Sequence, residues 1–480
     1  MSQDRNIRER FSRLSQTKRA LLDQWLQGSG NTTANDSLEN IASYSGEAPA
    51  PLSYSQRSIW SLLKRHPTSA VYNFPFGCFR IRGPLNRTAL RQSLDAIIQR
   101  HEILRTNFVE IDGEPVQSIS PQKRTHIAYV SLGKGHEDKI QQLLAQEAQQ
   151  PFERVQGPFL RSLVLELGVD EHILIFTSHR LVADGWSRGI FSQELTTLYA
   201  AYCTSSSQEL SDLPFQYSHY ARWQQKILER EIGLTQMAYW LQHLHNLPVL
   251  LLPTDSQSPA LENDQAIHLA FTIPSTLAHA LRKLSQSENV TLLMLLLAAF
   301  KLLLYRTTRQ QDLAIATPIS NRNQNGVEGL IGNFMNTLII RTNLAHMTTF
   351  RELVQEVRKE VLEAYAHTLI PVEKIAAELG ATASLSNAPL SRCLFIIHDV
   401  PLPHLQFYGV EAQDIEIGQG RLLQDLALTT HVVGDDFQCY LRAKSALFRP
   451  ETMHRLVQAW QALLAEIVTD PAQSLSSTIN

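Results

Sequence analysis

Short apolar runs alternate with amphipathic stretches from Pro51 onwards, and this alternation favours a mixed α/β fold over all-α or all-β classes. The apolar run at 173–176 predicts a buried strand, and Ser187 is predicted to cap the helix that follows it. Asn86 is predicted to cap another helix, and a further amphipathic helix is expected over 450–467. Because 480 residues exceed one average domain, we expect two lobes.

Composition excludes several functional classes. The formal net charge is −3, so there is no global electrostatic case for a nucleic-acid or anionic-membrane partner. The N-terminus is polar, and the apolar stretch at 290–305 is shorter than the roughly 20 residues that span a bilayer. We therefore expect a core helix at 290–305 and a cytoplasmic protein.

Metal and disulfide chemistry is poorly supported. The four cysteines are far apart and form no CxxC pair, which favours reduced, buried thiols. His243 and His245 could be read as metal ligands, but no acidic or thiol partner stands nearby at ligand spacing. We expect no bound metal.

Residues 5–27 carry apolar and basic side chains at helical spacing, and a Gly/Ser/Asn/Thr-rich stretch follows them. We interpret 1–28 as a docking helix for a partner protein or, equally, as a poorly ordered tail, and 29–50 as a flexible linker. The N-terminal lobe is expected over 51–228 and the C-terminal lobe over 229–480, with 250–264 as an irregular crossing between them.

The segment 178–187 (SHRLVADGWS) carries the most chemistry, at a junction of predicted strand and helix. His179, Arg180 and Asp184 could form an acid–base device, since histidine titrates near neutral pH. They could also form a hydrogen-bonded structural cluster. Gly185 lets the backbone approach a ligand closely.

Nine further blocks occur around this segment in a fixed order. They are 51–60 (PLSYSQRSIW), 100–108 (RHEILRTNF), 217–223 (YSHYARW), 239–240 (YW), 252–255 (LPTD), 331–337 (IGNFMNT), 367–374 (HTLIPVEK), 387–395 and 470–476. Together with 178–187, which resembles an HHxxxDG signature, the set resembles the condensation domains of non-ribosomal peptide synthetases.

The resemblance implies an α/β fold of two chloramphenicol acetyltransferase-like lobes, arranged as a V-shaped pseudodimer around a central tunnel. It implies an acyltransferase that passes a donor acyl thioester to an acceptor amine or hydroxyl. Upstream and downstream carrier proteins would present both substrates on 4′-phosphopantetheine, so no cofactor would be bound directly. A monomer is expected.

One position departs from the family signature: Arg180 stands where the second, catalytic His is expected. Arginine stays protonated and cannot act as a base, although it could stabilise an oxyanion, hold a substrate carboxylate or close the tunnel. The resemblance implies structural roles for His179 and for Asp184, with Arg322 as the expected partner of Asp184. The candidate site residues fall into three groups. The catalytic group is His179, Arg180, Asp184 and Gly185. Substrate contacts are expected from Trp186, Ser187 and Asn336, and structural roles are expected for Arg322 and Arg105.

Three functions remain open. The domain could still form amide or ester bonds, with positioning supplying most of the rate. It could be a degenerate platform that recruits carriers or a tailoring enzyme, similar to the X-domains of glycopeptide synthetases, which also have an HR pair. It could also catalyse a side reaction on a carrier-bound chain. Gly185, Trp186 and Ser187 are retained, which favours a site that substrate still enters. A free acyltransferase using coenzyme A thioesters is a further alternative.

Overall fold

The computed structural model describes residues 41–44, 49–66, 70–121, 125–133, 135–152, 157–206, 210–256, 266–380, 390, 392–399, 405–415 and 422–475. The docking helix expected over 1–28 lies outside the described residues.

The first half of the chain contains seven strands and six helices among the described residues. The strands are β1 Ala50–Pro51, β2 Asn73–Arg82, β3 Thr106–Ile111, β4 Glu114–Ile119, β5 Ile127–Ser131, β6 Leu160–Gly168 and β7 Glu171–His179. The helices are α1 Tyr54–Arg65, α2 Arg87–Arg100, α3 Glu137–Gln149, α4 Gly185–Thr204, α5 Tyr217–Leu228 and α6 Glu231–His243.

The second half contributes another seven strands and five helices among the residues that the structure describes. The strands are β8 Ala266–Ile273, β9 Asp312–Ile319, β10 Asn336–Asn343, β11 Cys393–His398, β12 Glu411–Asp414, β13 Leu426–Val433 and β14 Asp436–Lys444. The helices are α7 Ser275–Ser287, α8 Leu292–Thr308, α9 Phe350–Ala366, α10 Val372–Glu378 and α11 Pro450–Thr469. Single 3₁₀ turns occur at Ile41–Tyr44, Glu102–Arg105 and Leu344–His346.

The N-terminal lobe is built on a five-stranded sheet of order β12-β2-β7-β6-β5. Strand β7 is central and buried along almost its whole length, as the apolar run at 173–176 predicted. Helices α2 and α4 pack together beside this sheet, and the Asn86 side chain caps α2 by accepting from the backbone N–H of Ala89. A small sheet of order β1-β4-β3 completes the lobe.

The C-terminal lobe is built on a six-stranded sheet of order β10-β9-β11-β13-β14-β8, in which β11 runs parallel to β9 and β13. Helix α8 lies in its core and corresponds to the core helix expected over 290–305. Its Lys301 is fully buried, and Nζ donates to the carbonyl of Ile340 at 2.7 Å and to the hydroxyl of Thr342 at 2.6 Å. The architecture is a two-lobed α/β fold.

Two features differ from the expected domain organisation. Strand β12 belongs by sequence to the predicted C-terminal lobe, yet it pairs with β2 of the N-terminal lobe, placing Ala412 opposite Ile81. Within the predicted linker, Ile41 and Tyr44 are buried at 3% and 6% exposure, and Lys226 lies over the Tyr44 ring. The flexible linker predicted over 29–50 is therefore wrong for 41–44, because these apolar side chains pack on the lobe.

Among the described residues, no single helix is long and apolar enough to cross a membrane. Helices α7 and α8 taken together have the length and apolar composition of a membrane span, but they are bent by 105° at the break between them. All four cysteines are free thiols, and three of them, Cys78, Cys393 and Cys439, are buried.

Candidate active site at the β7–α4 junction

The junction between β7 and α4 positions the residues of the 178–187 segment. Strand β7 ends at His179, and the backbone N–H of Arg180 still donates to the Tyr72 carbonyl at 2.9 Å. Helix α4 begins at Gly185, and Asp184 is its N-cap, with the carboxylate accepting from the backbone N–H of Ser187 at 2.9 Å. The cap predicted at Ser187 is therefore wrong by three residues. The cap is Asp184, because its carboxylate accepts the otherwise unpaired backbone N–H of Ser187 in the first turn of the helix.

Asp184 and Arg322 form a buried ion pair between the lobes. Arg322 Nη2 lies 3.1 Å from Asp184 Oδ1 and 3.3 Å from Oδ2, and both side chains are almost completely buried. The carboxylate also accepts from the backbone N–H of Phe334 at 3.0 Å. The guanidinium donates further to the carbonyls of Val327 and Leu330. Since each charge has several partners, this pair fixes the position of Asp184 rather than offering it to a substrate.

The loop between β9 and β10 (residues 320–335) carries Arg322 and several other contacts to the N-terminal lobe. Trp186 Nε1 donates to the Glu328 carbonyl at 3.0 Å, and the Ile331 N–H donates to His101 Nδ1 at 3.3 Å. The Tyr217 hydroxyl donates to the Asn333 carbonyl at 2.7 Å. These contacts hold the loop against the N-terminal lobe.

His179 is buried among aromatic rings and is poorly suited to act as a base. Its Nδ1 accepts the backbone N–H of Leu181 at 3.1 Å, and the rings of Tyr72, Phe152 and Phe159 surround it. Burial, together with the charges of two nearby arginines, lowers the pKa of His179 to about 3. The imidazole is therefore neutral near pH 7 and a weak proton acceptor.

Arg180 lies at the same junction with a different environment. Its guanidinium sits over the Phe74 ring, 4.9 Å from the centroid, and among the described residues it meets no hydrogen-bond acceptor. Burial lowers the pKa of Arg180, while the charge of Asp184 opposes that effect. An arginine nevertheless stays protonated near neutral pH, so Arg180 brings a half-buried positive charge and N–H donors to the site.

Gly185 and Trp186 border open space. A Cβ placed on Gly185 would meet no described atom within 4 Å, so the glycine leaves room beside the first turn of α4. Trp186 remains 39% exposed although its indole N–H is bonded. Both positions are accessible to an incoming ligand.

Three of the other candidate residues have structural surroundings. The Ser187 hydroxyl is fully buried, and its one proton has two acceptors within reach, Asp184 Oδ1 at 2.7 Å and the Gly332 carbonyl at 2.9 Å. The Asn336 amide donates to the carbonyls of Thr368 and Ile370 and is 5% exposed. The substrate contacts expected for these two side chains stay predictions, and the geometry favours structural roles. Arg105 is buried and donates to the Ser120 carbonyl, as a structural residue would.

The C-terminal lobe carries a polar cluster that the sequence patterns did not identify. On one face of its sheet, His398 lies opposite His431 in the β11–β13 register, with ring centroids 4.5 Å apart. Tyr440 packs on His431 at 5.5 Å, and Arg442 follows two positions later on the same face of β14. Burial lowers the pKa of Arg442, and the charge of Arg180 lowers it further.

No motif marked these residues, because polar side chains at every second strand position are also typical of an ordinary solvent-facing sheet surface. The spacing of two positions between Thr429 and His431, and between Tyr440 and Arg442, indicated only that each pair shares one face of a strand.

Metal binding finds no support in this arrangement. In the part of the chain that the structure describes, no group of three or more His, Cys, Asp or Glu side chains is placed to hold a metal ion. His243 instead stacks on the Tyr239 ring at 5.4 Å and lines a surface cavity of about 480 Å³ together with Asp312 and Arg341. None of the 178–187 residues lines this cavity, so it is separate from the β7–α4 junction.

The family of the chain follows from its match to known proteins. Residues 47–479 match the family model described as "Condensation domain". The chain belongs to the condensation domain family. It is 38% identical over 450 residues to a protein of the linear gramicidin synthase of Brevibacillus parabrevis, covering 92% of this chain but only 9% of that protein. It is 30% identical to phosphinothricin tripeptide synthetase PhsC of Streptomyces viridochromogenes, covering 98% of this chain and 44% of that protein.

Among solved structures, the condensation domain resembles the X-domain in its complex with OxyB from teicoplanin biosynthesis. The TM-score is 0.82 with 26% identity, and the match covers 91% of this chain and 96% of that chain. This likeness agrees with the two-lobed α/β architecture. The chain spans about a tenth or less of the length of the gramicidin synthase proteins that it matches.

Proposed function

We propose that this domain joins a carrier-bound donor acyl thioester to the amine or hydroxyl of a carrier-bound acceptor, with Arg180 at the position of the catalytic histidine. The observation that carries the proposal is the placement of the Arg180 guanidinium. The guanidinium is half-buried over Phe74, has no hydrogen bond to a described acceptor, and lies at the same junction as the open space beside Gly185. The family membership supplies the reaction class.

The proposed reaction requires one bond to form and one to break. The acceptor nitrogen or oxygen attacks the thioester carbonyl, a C–N or C–O bond forms, and the C–S bond of the donor breaks. The proton lost by the acceptor ends on the departing thiolate. No oxidant or metal is required for this balance.

Proton abstraction cannot be assigned to either residue of the HR pair. His179 is neutral but has its pKa lowered to about 3, and Arg180 has no lone pair to accept a proton. The proposal therefore assigns to Arg180 the stabilisation of the oxyanion that forms when the carbonyl is attacked. One donor to an oxyanion is worth about 3–4 kcal/mol, and alignment of the two substrates about 7–11 kcal/mol.

The proposal includes two carrier proteins, each supplying its substrate on a 4′-phosphopantetheine arm. The relatives are much longer proteins than this chain, which is consistent with carriers located in other parts of a synthetase. Gly185 suits such an arm, because the missing side chain leaves room for a narrow chain to pass. The leading segment 1–28 is proposed as a docking element for an upstream protein.

Intact-mass analysis of both carriers tests the proposal directly. The domain is mixed with an acyl-loaded donor carrier and an amine-loaded acceptor carrier, and Arg180→His and Arg180→Ala are assayed in parallel. We expect transfer of the acyl mass to the acceptor by the unaltered protein and a loss of about 10²–10³ in rate for Arg180→Ala. Omitting the domain and replacing the donor carrier with acyl coenzyme A serve as controls. Transfer from the coenzyme A thioester would favour a free acyltransferase.

A second candidate function is a non-catalytic platform, and the observation that favours it is Arg180 itself. The X-domain, with which this chain shares its fold, was solved in complex with OxyB. If the unaltered domain fails to transfer the acyl group while Arg180→His succeeds, the chemistry has been switched off in an intact site. That outcome would support the platform and refute the transferase proposal.

A further inference from the structure

A cavity of about 480 Å³ opens on the C-terminal lobe between α6, α9, the start of β9 and the end of β10. Tyr239 of α6 and two glutamates of α9, Glu360 and Glu363, lie in its wall, whereas none of the 178–187 residues does. Small-molecule pockets have volumes of roughly 300–1,000 Å³, so the cavity is large enough for a ligand. The proposed acyl transfer makes no use of it.

The arginine in the cavity wall is already paired. Arg341 Nη2 lies 2.7 Å from Asp312 Oδ2, and Arg341 Nε lies 3.0 Å from Asp312 Oδ1. The Nη1 group donates to the carbonyls of His243 and His245, at 2.9 Å each. Asp312 and Arg341 therefore neutralise each other, and this guanidinium is a poor receptor for an anion.

The two glutamates in the wall keep acceptor oxygens available. In the part of the chain that the structure describes, the exposed Glu363 carboxylate takes part in no hydrogen bond or ion pair. Glu360 Oε2 accepts the Thr342 hydroxyl and lies 3.9 Å from Lys301 Nζ, while Glu360 Oε1 has no described hydrogen-bond partner. Because residues three apart on a helix are neighbours, both carboxylates lie on one face of α9. The uncompensated charge in this cavity is negative.

The Tyr239 hydroxyl is a third acceptor. The Tyr239 ring lies between the rings of His243 and His367, with centroid distances of 5.4 Å and 3.7 Å and interplanar angles of 9° and 7°. This parallel stack holds the phenol in one orientation. The hydroxyl oxygen is buried and has no hydrogen-bond partner among the described residues. Since folded proteins rarely leave a buried polar atom without a partner, this oxygen indicates that a ligand donor belongs here.

We propose that this cavity binds the primary ammonium group of a small amine. An ammonium carries one positive charge and three N–H donors. Glu360, Glu363 and Tyr239 supply three acceptors in the wall of one cavity. Two of these acceptors are carboxylates, which form stronger hydrogen bonds with a cation than neutral groups do.

A metal ion matches the cavity less well than an ammonium. Across the described ranges, no group of three or more His, Cys, Asp or Glu side chains is placed to hold a metal. The Asp312 carboxylate is engaged by Arg341, which leaves two glutamates and a neutral phenol. Three separate acceptors around one positive charge suit the three N–H groups of an amine instead.

Calorimetric titration of the full chain near pH 7 with n-butylamine tests this site. Two other compounds separate the contributions to binding: 1-butanol has a similar chain without the charge, and tetramethylammonium has the charge without N–H donors. We expect n-butylamine to bind with a Kd of about 1 mM or lower. Both other compounds should bind at least about 10-fold more weakly, because each lacks one half of the charged hydrogen bonds.

Variants show which residues hold the amine. Glu363→Gln changes an exposed side chain and should weaken binding of n-butylamine by at least about 10-fold. Tyr239→Phe keeps the ring stack, removes only the hydroxyl, and should weaken binding by about 3–10-fold. Glu356→Gln is the matched control, because it also removes one negative charge from α9. Glu356 pairs with Lys359 at 3.3 Å and does not line the cavity, so this variant should keep the full affinity.

The possible results divide clearly. Absence of measurable n-butylamine binding, or equal affinity for n-butylamine and tetramethylammonium, would overturn the inference. An affinity that survives Glu363→Gln, or that falls equally in Glu356→Gln, would overturn it too. Tighter binding of Ca²⁺ than of n-butylamine would assign the carboxylates to a metal and overturn the amine site. Since the cavity is separate from the β7–α4 junction, acyl transfer in the mass assay is expected to be independent of each of these results.

Discussion

Removal of the Asp184 carboxylate should lower the stability of the protein more than it lowers the rate of acyl transfer. Asp184→Ala leaves the Arg322 guanidinium buried at 2% side-chain exposure without its counter-ion, which costs about 3–5 kcal/mol. The same change removes the N-cap of α4, worth about 1 kcal/mol, and leaves the Phe334 N–H without its acceptor. Since part of each cost is shared, we expect a total near 4–5 kcal/mol and a melting temperature lowered by roughly 5 °C.

Thermal unfolding followed by calorimetry measures this change, and a double-mutant cycle isolates the pair. Arg322→Met in the Asp184→Ala background removes the orphaned charge, so the double variant should be more stable than the sum of the single losses by about 1–3 kcal/mol. Glu114→Gln is the control, because Glu114 pairs with Arg57 at 3.1 Å on the exposed surface and should contribute less than about 1 kcal/mol.

The conservative variant Asp184→Asn decides between a structural and a chemical role. It keeps the size of the side chain and one acceptor oxygen but removes the charge that balances Arg322. If Asp184→Asn leaves the melting temperature unchanged while acyl transfer ends, the structural assignment is refuted.

Three other changes test separate parts of the structure. Gly185→Ala should leave the melting temperature unchanged, since the added Cβ meets no described atom within 4 Å. It should nevertheless slow acyl transfer in the intact-mass assay. An unchanged rate of transfer would mean that no substrate passes beside Gly185. The pKa of His179 is about 3 in the folded protein, against an ordinary value of 6.5. As the pH falls from 6.5 towards 3, only the unfolded chain gains a proton at this residue. The free energy of unfolding should therefore decrease over this pH range by on the order of a few kcal/mol. His179→Gln should flatten this loss in urea midpoints at pH 7 and pH 5, and an unaltered slope would contradict the assignment. Lys301→Met should cost at least about 3 kcal/mol in denaturant unfolding because it strands Glu360 and the Thr342 hydroxyl in the core, and Lys301→Met with Glu360→Leu should recover part of that loss.

The local structure around the site could be read from the sequence because short-range signals determine it. The apolar run at 173–176 became the buried part of β7, and Asn86 became the cap of α2. The core helix expected over 290–305 became α8. In each case, the decisive interaction lies within one turn of helix or one strand, so the pattern of neighbouring residues is sufficient.

The ordered motifs also predicted the family, which the match over residues 47–479 confirms, whereas the departure from the family signature at Arg180 stays a prediction. The pairing of Asp184 with Arg322, which lies 138 positions away, followed from the resemblance rather than from any pattern in the chain. The cap of α4 was misplaced at Ser187, because Asp and Ser both make good caps and only backbone geometry chooses between them.

The polar cluster on the C-terminal sheet was decided by tertiary structure alone. Arg442, His431 and His398 lie on β14, β13 and β11, and nothing in their local sequence distinguishes an exposed sheet face from one that meets another lobe. Strand β12 likewise gives no sign that it crosses to the N-terminal sheet. The sequence determined that an arginine stands at position 180, and the tertiary structure determined that its guanidinium lies over the Phe74 ring, because electrostatic neighbours depend on distance in space rather than on separation along the chain.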